Sequence, residues 1–412
     1  MSLDANLCMV EVHKPQIILL KEMLDEIDPS SEDFVPLMKI QLEILDRILA
    51  TESDISSKKE ELSKLKKSLR SGAKSKQQSQ KIKSHIEEVK DTIQGYKFLL
   101  YVWRCFGDGL VFKYISKWNI KRFLYEADSP ELKQSAGNIG GKEGVEKELS
   151  VVLSALKSNV PAVLCDLTNT IRHGDVCLLG ASDPHVIEVK SSDNRNARVE
   201  RQVESINKIH DYLRRDEGAI SGVENMKRVE FSGVEKHHGN AMNELLDILK
   251  NEDECRISPE NGLYYIGYKT SSNPNYDLLF SGIKEPFAYM VNSNKTEKLW
   301  GNYYPFTLSI KSGEALCEFL SGDIYLLVLI ESHIIKELFL KKGYLAEIIV
   351  FEGDAVFELT EIIEGDEKPF MSIVTNHMVG RLGLEFLSLE QFVEQQVFLS
   401  NDCKRQFNEN GI

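Results

Sequence analysis

Cysteines in this chain are few and scattered. The seven (Cys8, Cys105, Cys165, Cys177, Cys255, Cys317 and Cys403) are odd in number and never spaced as C-x-x-C. That excludes an evident disulfide framework or a cysteine-rich zinc module, and it suits a reducing cytosol. Proline is scarce too, 11 in 412 residues, which leaves little room for long disordered linkers. No G-x-x-x-x-G-K-[ST] loop occurs, so nucleotide hydrolysis has no visible support. The most apolar stretch, Ile324 to Ile335, is interrupted by Glu331 and His333 and falls well short of a membrane span. Met1 to Gln16 lacks the basic start and apolar run of a secretory signal, another sign of a chain that is not exported. Positive charge is also in deficit. A net charge of −14 argues against broad attraction to polyanions unless the basic residues are clustered. The expectation is a soluble, cytoplasmic protein with no membrane partner.

What is present is ordinary globular material, 42% hydrophobic and 28% charged, long enough for two or three domains. From Phe34 to Leu69 apolar residues recur at three and four (Leu37, Ile40, Leu42, Leu45, Ile48, then Leu62, Leu65, Leu69), the spacing of an amphipathic helix. The pattern breaks at Ser71-Gly72-Ala73 and resumes at Ile82, Ile86, Val89 and Ile93. Two helices joined by a short polar turn predict an antiparallel hairpin over 1–95, a plausible route to a homo-oligomer. Its tip is basic: Lys58, Lys59, Lys64, Lys66, Lys67, Arg70, Lys74, Lys76, Lys81 and Lys83 face only Glu60 and Glu61. Such a run reads either as a phosphate-tracking arm or as a solvated coiled-coil face. No aromatic residue is interleaved, so a stacking platform for single strands is not expected.

Tyr96 to Glu126 is rich in large aromatics, which at this density belong to a core. After the polar segment Asp128 to Gly141 come a helix over Lys142–Leu156 and strands around Val163–Cys165, Val176–Leu179 and Val186–Lys190. A helix over Arg198–Arg214 follows. Further on, the pattern predicts a strand over Lys227–Phe231, a helix over Asn240–Lys250 and a strand over Leu263–Lys269. Leu345–Phe351 and Ala355–Thr360 are read as strands as well.

The chemistry lies between Gly174 and Lys190. Gly180 to Pro184 is turn material between two apolar strands. A hairpin symmetric about Ser182 and Asp183 would set Asp175 opposite Lys190 and Cys177 opposite Glu188. Glu188 and Lys190, two apart, share one strand face. Two carboxylates so placed could hold Mg²⁺ or Mn²⁺ through oxygen. The ion would activate a water, and the lysine would orient it or stabilise developing charge.

Gly174-Asp175, a short hairpin, then Glu188-Val189-Lys190 resembles the PD-(D/E)xK, or restriction-endonuclease-like, nuclease superfamily. The resemblance spans roughly residues 95 to 270. It implies Asp175 and Glu188 as metal ligands and Lys190 as the residue assisting the nucleophile. It also implies a metal-associated glutamate on the preceding helix (Glu146, with Glu143 second) and a glutamine on the following one (Gln202). Gly174 stands where the motif has proline. The fold class implied is α/β, a mixed sheet flanked by helices, with an N-terminal helical hairpin and an α+β C-terminal region. The divisions are 1–95, 96–270 and 271–412. The activity implied is Mg²⁺-dependent endonucleolytic hydrolysis of phosphodiester bonds, DNA favoured, in the manner of antiviral defence effectors restrained until an activating protein partner or oligomer forms. The competing readings are a non-enzymatic nucleic-acid-binding or assembly protein and an RNase of the same fold. Arg172 and His173 could touch a phosphate or be plain surface, and Ser191 and Ser192 could bond phosphate or cap the next segment of chain. Gly107-Asp108 lacks an E-x-K partner, and the adjacent His237-His238 make a poor metal pair.

Overall fold

The structure, a computed structural model, describes residues 3–71, 75–142, 144–189, 197–229, 231, 233–296, 298–301, 303–349, 354–363 and 368–409. The chain forms two compact units, Met1–Arg228 with Thr296–Ser321, and Val229–Lys295 with Gly322–Ile412. It is a mixed α/β chain, and every pairing between described strands is antiparallel, where a mixed sheet was expected.

The first unit opens with α1 (Leu3–Asp25), α2 (Val35–Arg70) and α3 (Lys76–Tyr114). Pro36 sits in the first turn of α2, where a missing N–H costs nothing. A capping box starts α3: the Gln78 amide donates to Ser75 Oγ and the Ser75 amide donates to Gln78 Oε1, both at 3.2 Å. Cross-links between Glu61 and His85 (2.9 Å) and between Thr51 and Trp103 (3.1 Å) fix α2 and α3 as the expected antiparallel hairpin. Leu42 is 41% exposed although the periodicity put it in the seam. It lies two residues from Ile40, on the wrong side of a 3.6-residue turn, and Ile44 is buried in its stead. The division expected at 95/96 falls inside α3, one continuous 39-residue helix. Its aromatic half is core, as expected: Trp103 and Phe106 are fully buried.

Next come α4 (Val145–Lys157), β1 (Ala162–Leu164), β2 (Val176–Leu178), β3 (His185–Ile187) and α5 (Ala197–Arg215). The strands form one sheet in the order β1-β2-β3. Ile206, Ile209, Tyr212 and Leu213 of α5 share a buried cluster with Val163, Cys177 and Val186. Of the strand expected over Lys227–Phe231 only Lys227 is strand among the described residues, as the end of a hairpin of β4 (Glu217–Ile220) with β5 (Val223–Lys227). Ser221 and Gly222 turn it with φ of 53° and 75°, the both-positive turn that matches strand twist. A turn of this kind ordinarily signals itself by asparagine or aspartate before the glycine, and here serine takes that place. The segment Thr296–Ser321 completes the unit with the helix Gly313–Ser321.

The second unit holds a four-stranded sheet of β6 (Glu254–Glu260), β7 (Leu263–Lys269), β8 (Pro286–Met290) and β9 (Ile324–Glu331), ordered β6-β7-β9-β8. It also holds α6 (Gly239–Leu249) and α7 (Ser332–Lys341), the sheet β10 (Tyr344–Ile348), β11 (Ala355–Glu361), β12 (Met371–Thr375), and α8 (Asn376–Leu384) and α9 (Leu389–Glu409). The 270/271 division therefore falls within this unit, directly after β7. Here His237 and His238 engage Glu235 (3.2 Å) and Glu260 (3.1 Å) separately and do not converge. Among the described residues, no helix is long and apolar enough to cross a membrane.

Candidate active site

The site lies at the end of β2. The Cys165 amide donates to the Asp175 carbonyl, and the Asp175 amide donates to the Ile187 carbonyl, both at 2.9 Å. Both ladders thus continue past the last paired strand residues, and Asp175 falls between Cys165 and Glu188. This register corrects the expected one. Cys177 pairs with Val186 and Val176 with Ile187, so Asp175 comes level with Glu188, where Lys190 had been expected. The slip is two residues, so each side chain keeps its face. Its cause is tertiary. The loop between β2 and β3 is held by Arg228, which pairs with Asp183, and by Asn119, which donates to the Ser182 carbonyl at 2.8 Å.

Gly174 explains its own departure from the motif. Its φ is +64°, and a Cβ there would meet Val186 Cγ1 at 2.3 Å. Proline, locked near φ −65°, cannot adopt this backbone. The strand entrance is further fixed by Asp108, whose carboxylate accepts from the amides of Asn169 and Thr170 at 2.8 and 2.9 Å and from both their side chains. Asp108 is thus a buried staple. His173 is 2% exposed and donates through Nε2 to the Tyr125 carbonyl at 2.9 Å. Arg172 donates to the carbonyls of Asn169 and Lys133. Both are internal struts, neither plain surface nor free to meet a phosphate.

The helix glutamate at the site is Glu148. Glu146 is exposed, whereas Glu148 is 6% exposed and, with Val152, is one of the two buried residues of α4. Two residues apart on a helix differ by about 200°, so only one of them can face the strands. The signal was legible: Glu148 lies one turn from both Val145 and Val152.

Electrostatics tie the carboxylates together. Burial, then the charge of Asp175, lifts both Glu148 and Glu188 to about 7. Asp175 is also raised, by burial first, against the Val189 amide, which donates to Oδ2 at 2.8 Å. Glu188 Oε2 is buried without a hydrogen-bond partner among the described residues. Two described cations oppose these rises: Lys142, ion-paired with Asp166, acts on Glu148, Glu188 and Asp175, and Lys133 acts on Glu188. Sequence reasoning missed both Lys142 and Asp166. Lys142 is placed by α2, because the Glu52 carboxylate accepts from the amides of Ile139 (3.0 Å) and Gly140 (2.7 Å) just before it.

Gln202 is half-buried on α5 and hydrogen-bonds none of these groups among the described residues. Lys190, Glu143, Ser191 and Ser192 lie outside the described residues. Among those described, no group of three or more His, Cys, Asp or Glu side chains is arranged to hold a metal ion. The chemistry of the site still fits a hard cation. Its donors are carboxylate oxygens, their protons are held up first by burial and then by neighbouring negative charge, and one buried oxygen lacks a partner among the described residues. Mg²⁺ keeps several of its waters and commonly takes only one or two protein carboxylates, so a ready-made cage is not required. Comparison of the chain with family models, with curated proteins and with solved structures finds no match.

Proposed function

We propose that the chain is a metal-dependent nuclease of the PD-(D/E)xK type, with a restriction-endonuclease-like core running from α4 to β4 and DNA as its favoured substrate. The observation that carries this reading is the joint one at Glu148, Asp175 and Glu188. A helix end, a strand end and the neighbouring strand end gather three carboxyls, and the charge of Asp175 adds to burial in raising both glutamates. The order of elements supports it as well: glutamate helix, three antiparallel strands, then a helix.

Asp175 and Glu188 would hold the ion, with Glu148 as the supporting carboxylate in place of Glu146. When bound, a divalent ion supplies positive charge to the attacked phosphate and lowers the pKa of a coordinated water. The chain's own part is positional. The Val189 amide fixes the Asp175 carboxylate, the two glutamates must give up their protons to bind, and Lys142 with Asp166 closes the charge balance on the α4 side. Lys190, two residues beyond Glu188, takes the water-orienting role in this reading.

The test is cleavage of supercoiled plasmid with Mg²⁺ or Mn²⁺ by the wild type and by Asp175→Ala, Glu188→Ala, Glu148→Ala and Glu146→Ala. Nicking lost in the first three and kept in the last is expected. Cleavage that survives Asp175→Ala and Glu188→Ala would place the active centre elsewhere. A duplex RNA in the same assay separates the RNase alternative.

A further inference from the structure

The hairpin of α2 and α3 is longer than its own core. The last buried residue of α2 is Ile55, and the first of α3 is Ile86. Beyond them the apolar residues Leu62, Leu65, Leu69 and Ile82 are only half-covered, as a thin seam beside half-covered Lys58, Glu61 and Ser79. Most of the exposed charge is cationic. Lys59, Lys64, Lys66, Lys67 and Arg70 on α2 are all exposed, as are Lys76, Lys81 and Lys83 on α3. Of the two acids on this stretch, Glu61 is taken by Lys58 at 2.8 Å and His85 at 2.9 Å. None of the eight exposed cations has an ion pair among the described residues.

The arrangement is periodic. Lys59, Lys66 and Arg70 are spaced by seven and four, and Lys76 and Lys83 by seven, so each helix carries its cations in a stripe. Like charges one turn apart, such as Lys66 with Arg70 and Lys64 with Lys67, oppose helix formation. Within a chain of net charge −14, this is a strongly segregated positive arm. From Lys59 to Arg70 it runs about 17 Å, the reach of about five phosphates along one strand.

The arm is rooted in the candidate site. The Gln41 side chain of α2 donates to the Ala162 carbonyl at 3.0 Å and accepts from the Leu164 amide at 3.1 Å, which clamps β1. Glu52 holds the loop that delivers Lys142. Lys59 begins only about 10 Å further along the same unbroken helix. A polyanion lying over the carboxylates would therefore meet the arm as it leaves the site.

We infer that this arm grips the phosphate backbone of a nucleic-acid duplex and seats it over the Asp175–Glu188 centre. The inference rests on the nuclease reading for its substrate but not for its charge. A duplex is favoured over a single strand because no aromatic side chain lies among the cations to stack on bases. It is favoured over an anionic lipid surface because, among the described residues, the tip exposes no apolar face to insert.

The experiment uses the full chain in EDTA, so that nothing is cut. Fluorescence anisotropy with a labelled 30-base-pair DNA duplex is followed from 50 to 200 mM NaCl. The proteins are the wild type, a five-site variant on α2 (Lys59, Lys64, Lys66, Lys67 and Arg70 each →Gln), a three-site variant on α3 (Lys76, Lys81 and Lys83 each →Gln), and Lys250→Gln, an exposed lysine of the second unit. Glutamine keeps helix propensity, and circular dichroism melts check each fold. Losing contacts lowers the log–log salt slope by about 0.9 each. The α2 variant should therefore bind at least about tenfold more weakly near 100 mM salt, with a slope shallower by about 3 to 4. The α3 variant should be shallower by about 2 to 3, and Lys250→Gln should keep the wild-type slope. Unchanged affinity and slope in both folded arm variants would overturn the inference. So would tighter binding of a single strand, or arm-dependent binding of phosphatidylserine vesicles without arm-dependent duplex binding. The nuclease reading fails separately, if plasmid cleavage ignores Asp175→Ala while the arm's salt slope stands.

Discussion

Glu148 and Glu188 hold their protons up to about 7 through burial and the nearby charge of Asp175, and this has a consequence for stability. The folded chain without metal binds these protons more tightly than the unfolded chain, whose carboxyls titrate near 4.5. Their contribution to stability is therefore complete below about pH 4.5 and is lost as pH rises through about 7. Glu188 is only half-buried, so after screening its share of the loss is about 1 kcal/mol. In EDTA, urea midpoints should fall between pH 5 and 8, and Glu188→Gln should flatten that fall. Mg²⁺ at pH 8 should restore the wild type and leave Asp175→Asn unmoved. Equal pH profiles for wild type and Glu188→Gln would show that the carboxyls do not repel as argued. His173 and His210 act in the opposite sense. Burial holds both near 4, so the stability they lend is whole above about 6.5 and is lost as pH falls toward 4. At this scale the sequence displayed Asp175 and Glu188, because motif spacing is a local property. It hid Lys142 and Asp166, which meet only through the fold, and it offered Glu146 where the buried face of α4 selects Glu148.

Among the elements, length and order were easier to read than register. Period-3.6 stripes marked α2, α4, α5 and α6 to within about three residues, because an amphipathic face is written along one helix. The β2–β3 register was not written in either strand. It depends on Arg228 reaching Asp183 and Asn119 reaching Ser182, partners far away in sequence. The fit of α3 against the loop before β2 depends likewise on single residues. A Cβ at Gly107 would lie 1.9 Å from the Leu167 carbonyl oxygen, and Asp108 satisfies two amides and two side chains in that loop. Asp108→Ala should cost about 3 kcal/mol or more, since it strands several buried donors at once. Burial raises the Asp108 carboxyl above its usual range, so a neutral isostere is the discriminating control. If the site needs the charge-assisted bonds, Asp108→Asn should recover only part of the loss in thermal melts. Full recovery would reduce Asp108 to shape alone.

On the scale of the whole molecule, the first unit is discontinuous in sequence, and this decides how the chain can be cut. Residues Thr296–Ser321 belong with Met1–Arg228. In that segment Phe306, Ile310, Leu316, Phe319 and Leu320 are each 2% exposed or less. Thr307 Oγ1 donates to the Cys105 carbonyl at 3.1 Å, and Lys14 pairs with Glu314 at 2.6 Å. Gly313 packs on Ile18 of α1 so closely that a Cβ would meet it at 3.3 Å. Five buried apolar side chains at about 1.5–3 kcal/mol each amount to about as much as the whole stability of an ordinary domain. A division at residue 270, natural from the sequence pattern, removes all of them from the unit that carries the candidate site. The fragment 1–270 should therefore show lost near-ultraviolet circular dichroism and rapid tryptic cleavage within α1 and α3. The full chain should resist at the same sites. Supplying residues 296–321 on a flexible linker after Arg228 should restore protection. A fragment 1–270 that melts cooperatively near the temperature of the intact protein would mean that α1 and α3 close over their own core, with the later segment only resting upon it.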